Sequence, residues 1–111
     1  MSMLDTYRNN LLRKREEAAK LNQDLAKEQA KIAPLQQKII SANAAIGRTK
    51  SASTIKSKLN EIERANKAIA DTQKKVGDIQ KKLAQKEKEI AAAEKTYHNE
   101  ETKVNKKAAD A

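Results

Sequence analysis

Leu4, Leu11, Ala18, Leu25, Ile32, Ile39 and Ile46 lie seven residues apart, and every one is apolar. They form line a of a first arm. Three residues on from each runs line d: Tyr7, Lys14, Leu21, Glu28, Leu35 and Ala42. Four of these can pack, whereas Lys14 and Glu28 need partners. A 3,4 alternation sustained in this way predicts a coiled-coil helix. Line b adds Leu12, Ala19, Ala26, Ala33 and Ile40. The apolar face is therefore wider than a two-helix seam needs, which leaves room for a second interface. The second half repeats the pattern. Its line a reads Ile55, Ile62, Ile69, Val76, Leu83, Ile90, Tyr97, Val104 and Ala111. Its line d is weaker: Lys58, Ala65, Thr72, Ile79, Lys86 and Ala93. On the far side, line f carries Lys67, Lys74, Lys81, Lys88 and Lys95, a stripe expected in water.

The two a lines do not join. Ile55 follows Ile46 by nine residues, where an unbroken heptad needs seven. On one continuous helix that slip swings the apolar stripe by about 200°. The intervening chemistry favours a turn. Gly47 is suited to the left-handed conformation that ends many helices, and Ser51, Ser53 and Thr54 are candidate N-caps for the next one. The expected organisation is a coiled-coil helix over 1–46 with a kink near Pro34, a bend over 47–54, a second helix over 55–104 and a frayed tail over 105–111. Pro34 costs about 3 kcal/mol inside a helix. It falls on the outer line c, and the pattern stays in phase on both sides of it; two shorter helices meeting there are the alternative. Gly77 weakens the second arm by about 1 kcal/mol relative to alanine.

These readings define an all-α fold, a long antiparallel coiled-coil helical hairpin that self-associates, with a dimer resembling a four-helix bundle favoured. Positions summing to about 101 would then face each other, as Ile39 and Ile62 do, and Lys14 would lie near Glu87, by the matching of the two sevenfold lines. The proposed seam is Leu4, Leu11, Leu25, Ile32, Ile39, Ile46, Ile55, Ile62, Ile69, Val76, Leu83 and Ile90. Self-association is expected because one strong apolar line per arm covers a lone hairpin poorly. The rival architecture is a straight parallel dimer, about 165 Å long against about 70 Å for the hairpin at 1.5 Å per residue.

Composition narrows the choice of function. The chain has no Phe, no Trp and only two Tyr among 111 residues, so it lacks anchors for a round core. Charged residues make up 35%, which suits a thin seam along helices. There is no cysteine, so disulfide and thiolate chemistry are absent and a reducing cytoplasmic location is expected. The charged N-terminal stretch does not read as a secretory signal. No apolar run approaches the roughly 20 residues of a membrane span, so no membrane partner is expected. The formal net charge of +9 invites a nucleic-acid reading.

The bend segment Ile46 to Arg64, written IGRTKSASTIKSKLNEIER, carries a resemblance. It resembles the N-terminal coiled-coil region of bacterial TIR-domain proteins, where a similar S-I-x-(R/K)-T-x-S-x-S-T-(I/L)-K-x-K-L-x-E-I pattern precedes a C-terminal TIR domain. Ile46, Arg48, Thr49, Ser51, Ser53, Thr54, Ile55, Lys56, Lys58, Leu59, Glu61 and Ile62 carry the match, and Ala45 stands where that family often has serine. The resemblance implies a flanking module that brings NAD-cleaving or signalling TIR domains together. It also implies that this chain is the coiled-coil part alone, because none of the catalytic machinery is present.

No catalytic or cofactor site can be assembled from the residues. His98 is the only histidine and has no converging set of ligands. Serines 51, 53 and 57 have no nearby base, and there is no glycine-rich phosphate loop. The expected function is a non-catalytic oligomerisation or scaffolding module without metal or cofactor. The alternative is a basic accessory that binds nucleic acid or an acidic partner through Arg48, Lys50, Lys56 and Lys58 at the bend. Nucleic acid is the disfavoured partner, since the cations are interleaved with acidic residues and there is no aromatic stacking platform.

Overall fold

A computed structural model describes residues 2–110, the side chain of Asp110 excepted. The described chain is all-α. Helix α1 spans Met3–Gln29, α2 spans Ile32–Arg48 and α3 spans Ala52–Asp110. Two compact units divide it. One holds residues up to Gln23 together with those from Gln80 onward, and the other holds Asp24–Ile79.

The first arm is two helices rather than one kinked helix. Proline has no N–H to give, so the Ala30 carbonyl loses its normal acceptor role four residues ahead of Pro34. The chain tightens instead. Ala30 N–H still reaches the Ala26 carbonyl at 3.0 Å, but Lys31 N–H turns to the Glu28 carbonyl at 3.1 Å. Lys31 keeps helical angles, φ −75° and ψ −20°. The interruption is therefore a single tight turn that preserves phase. Leu25 and Glu28 before it, and Ile32 and Leu35 after it, all remain partly covered.

The bend is shorter than the predicted 47–54. Between α2 and α3 only Thr49, Lys50 and Ser51 lie outside helices. Gly47 does not adopt a left-handed conformation; no described residue has positive φ. It lies inside α2, and Thr49 ends the helix in an extended conformation (φ −121°, ψ 151°). Ser51 then starts α3. Its Oγ accepts the Thr54 N–H at 3.3 Å, and its carbonyl accepts the Ile55 N–H at 3.0 Å. The cap satisfies one of the donors a helix start leaves free.

Helix α3 also starts earlier and ends later than the predicted 55–104. Residues 105–110 are helical, where a frayed tail was expected, and Ala111 lies outside the described residues. The apolar pattern does thin after Tyr97, and the side chains from Thr102 to Ala109 are exposed. Lysine and alanine carry the helix on through propensity, since adding a residue to an existing helix costs little.

Both glycines are thus ordinary helical residues with open space where a Cβ would stand. Gly77→Ala should raise stability by about 1 kcal/mol. Gly47→Ala, one residue from the end of α2, should gain a few tenths of a kcal/mol to about 1 kcal/mol. Urea denaturation checks both. A loss of stability on Gly47→Ala would mean that this residue does leave the helical conformation.

The core of each unit is a thin seam. Leu11, Leu83 and Ala93 are buried in the first unit, and Ala42, Ala65 and Thr72 in the second. Four of these six are small residues on line d. Small side chains there leave little to hold the helices apart.

Candidate functional site

Every member of the proposed seam is at least partly covered. Leu11 and Leu83 are buried; Leu4, Leu25, Ile32, Ile39, Ile46, Ile55, Ile62, Ile69, Val76 and Ile90 are half-buried. Line d of each arm is covered as well, and line f, from Asn60 to Lys95, is exposed throughout. The two a and d lines are thus used within the hairpin. No side chain among the described residues is completely enclosed.

Between Tyr7 and Ala93, four charged residues intrude on line d: Lys14, Glu28, Lys58 and Lys86. Each is met by a residue from line g, the line next to d on a heptad wheel. Lys14 Nζ donates to Glu89 Oε1 at 3.0 Å. Lys86 Nζ donates to Glu17 Oε2 at 2.6 Å and lies 3.7 Å from Glu89 Oε2. Within single arms, Lys31 Nζ donates to Glu28 Oε1 at 2.8 Å, and Lys58 Nζ lies 3.3 Å from Glu61 Oε1. The expected Lys14–Glu87 pairing is therefore corrected to Lys14–Glu89. Glu87 belongs to line e, on the opposite flank of the seam from g, so a lysine on line d does not reach it. Wheel adjacency was the available signal; matching a to a overlooked it.

The pairs in the first unit run in reverse order, Lys14 with Glu89 and Glu17 with Lys86. Arg15 Nη2 adds a bond to Glu94 Oε1 at 2.9 Å on the other flank. Hydrogen bonding to Lys14 holds the Glu89 carboxyl below its usual value of 4.5, and hydrogen bonding to Lys86 does the same for Glu17. Lys86 is raised above 10.5, first by its bond to Glu17. Carboxylates with depressed folded values contribute stability above about pH 4.5 and lose it as the pH falls through those values. Lys86 contributes below about pH 10.5 and loses it as the pH rises further. Solvent screens all of them. Thermal melting should therefore show a plateau between those limits and a decline below pH 4.5, shallower in 1 M salt. In a Glu17→Gln, Glu89→Gln variant the decline should be smaller.

Glu28 is the awkward member of the second unit. Its Oε2 is buried with no hydrogen-bond partner. Lys31 holds the carboxyl ionised through Oε1, and Lys75 adds attraction from α3.

The basic bend does not converge. Arg48 closes α2, Lys50 lies in the connection, and Lys56 and Lys58 stand on α3. Arg48, Lys50 and Lys56 are exposed and form no ion pair among the described residues, but Lys58 is taken up by Glu61. A groove between α2 and α3 is lined by Leu35, Lys38, Glu61, Arg64, Ala65 and Ala68. It contains cations and a carboxylate together and no aromatic ring. His98 is exposed, 3.8 Å from Glu101. Among the described residues no group of acidic or histidine side chains could hold a metal ion. No described helix is long and apolar enough to cross a membrane.

Apolar surface remains outside the seam. Met3, Leu12, Ile40, Leu59 and Val104 are each more than two-fifths exposed, Ile40 the most at 60%. Leu12 and Ile40 lie on the line b noted in the sequence, and the rest of that line, Ala19, Ala26 and Ala33, is exposed as well. Leu59, on line e of α3, enters the sequence analysis only through the resemblance of the bend segment, not as apolar surface.

No known family model matches the chain, and no curated protein or solved structure matches it significantly.

Proposed function

We propose that this chain is a non-catalytic, antiparallel coiled-coil module that works by self-association, with a dimer as its functional unit. The observation that carries the reading is the mismatch between apolar surface and cover. The hairpin closes its a and d lines on themselves, yet leaves Leu12, Ile40 and Leu59 about half exposed or more on lines outside that seam. Apolar surface of this kind gains about 25 cal/mol for each Å² it hides from water, and another helical surface is the natural cover. The runner-up, an anion or acidic partner at the bend, is supported by Arg48, Lys50 and Lys56, the three cations there without an ion pair among the described residues. It is weakened by the engagement of Lys58.

The resemblance of the bend segment to the coiled-coil region of bacterial TIR-domain proteins suggests what such a module could serve, the gathering of appended domains in a cytoplasmic assembly. The test is mass in solution. Light scattering across a hundredfold range of concentration should give twice the chain mass at the upper end, and the melting temperature should rise with concentration. A chain of single mass and concentration-independent melting throughout would refute the proposal. Retention on a polyanion that weakens with salt would favour the runner-up.

A further inference from the structure

The second unit has two dissimilar flanks. On one, lines d and g of the two arms meet, as the groove shared by Leu35, Lys38, Glu61 and Ala65 shows. Lines e and b of both arms therefore share the opposite flank. On α2 this flank carries Ala33, Gln36, Ile40, Asn43 and Gly47, with no charge at all. On α3 it carries Ala52, Leu59, Asn66 and Gln73 on line e, and Lys56, Glu63 and Ala70 on line b. All of these are exposed. In a chain that is 35% charged, a flank with two charges in all, of opposite sign, is a departure that solvation does not explain.

We infer that this flank, centred on Ile40 and Leu59, is where a second copy of the chain docks, with Lys56 of each copy facing Glu63 of the other. The inference rests on the self-association proposed above and says which surface performs it. The choice of occupant follows from charge. A two-fold interface must complement itself, so any charge on it needs its opposite displaced symmetrically about the axis. Lys56 and Glu63 lie seven residues apart on one line of α3, and neither forms an ion pair among the described residues. Two α3 helices crossing in opposite directions near residues 59 and 60 bring each Lys56 to the partner's Glu63. Leu59 then falls beside the axis, and Ile40 covers it from α2. A basic or an acidic partner would leave one of the two charges opposed by its like, whereas a second copy satisfies both. The alanines and glycine around them allow the helices to approach closely.

Leu59 and Ile40 are exposed, so Leu59→Glu and Ile40→Glu should leave the helical content of the hairpin unchanged. Each should abolish the dimer at the highest concentrations tested. Lys56→Glu and Glu63→Lys singly place like charges together twice per dimer and should weaken it by about tenfold. The double exchange, Lys56→Glu with Glu63→Lys, restores both pairs and should return the affinity to within about threefold of the original. Analytical ultracentrifugation reads the five variants and the parent chain. A dimer that survives Leu59→Glu and Ile40→Glu overturns this assignment while leaving self-association intact. A double exchange no tighter than the single variants overturns the reciprocal pairing. A parent chain that stays monomeric throughout overturns both the assignment and the function it rests on.

Discussion

Leu83→Ala is expected to destabilise the hairpin by about 2–3 kcal/mol, among the largest losses of any single truncation, alongside Leu11→Ala. Leu83 is 8% exposed and, with Leu11, is one of the two large aliphatics that the seam buries among the described residues. Removing three carbons of the side chain forfeits their transfer energy and leaves a hole between two helices. The estimate sits at the low end for leucine because a two-helix seam is thin. Water or a shifting helix can fill the gap, where a deep core would stay empty. Val104→Ala supplies the contrast. Val104 occupies the same heptad line but is 41% exposed, and its truncation should cost well under 1 kcal/mol. Chemical denaturation at a fixed protein concentration separates the two. Equal losses would mean that α3 is covered along its length by something outside the hairpin.

Pro34→Ala should move stability the other way, by about 2–2.5 kcal/mol. Proline within a helical stretch costs about 3 kcal/mol, and alanine returns the missing donor to the Ala30 carbonyl. Part of that gain is offset, because alanine frees the unfolded chain by about 0.4–1 kcal/mol. The sign depends on the geometry at Ala30 and Lys31. Lys31 already has helical angles, so the chain can close the gap between α1 and α2 without turning either helix. An upward shift of the urea midpoint with unchanged m-value is the expected result. A downward shift would mean that the tight turn is required where it stands, for instance to seat Glu28 against Lys31.

Much of the fold was legible because the seam is written in single residues seven apart. Lines a and d located the covered positions from Leu4 to Ile90, and the lysines of line f were correctly left to solvent. The nine-residue interval between Ile46 and Ile55 placed the turn. The boundaries were less legible for reasons that differ by position. At Gly47 the residue's freedom was mistaken for its use; the helix continues through it, and Thr49 does the ending. At residues 105–110 the apolar pattern runs out, but helix propensity does not. At Pro34 the preserved phase argued for continuity, and phase says nothing of a missing hydrogen bond. Of the candidate surfaces, line b was visible at once through Leu12 and Ile40. Leu59 was hidden because it stands alone on its line, and its significance appears only when α2 and α3 are folded together. Lys58 is not a free cation, and the signal is in the sequence: Glu61 stands three residues on, a spacing that pairs opposite charges on a helix.

The four-membered charge cluster of Lys14, Glu17, Lys86 and Glu89 acts as a ruler for chain length. Slide one arm past the other by a single heptad and Lys14 meets Lys82 or Thr96, while Glu17 meets Ile79 or Ala93. Neither misalignment offers Lys14 or Glu17 an ionic partner, and the most that either returns to the cluster is Asp24 for Lys86, although the sevenfold apolar lines would still match. Excising seven residues from α2 alone should therefore spoil the fit, whereas excising matched heptads from α2 and from the opposing part of α3 should preserve it. A change of length confined to one arm would therefore cost the hairpin this alignment, whereas a matched change in both would not.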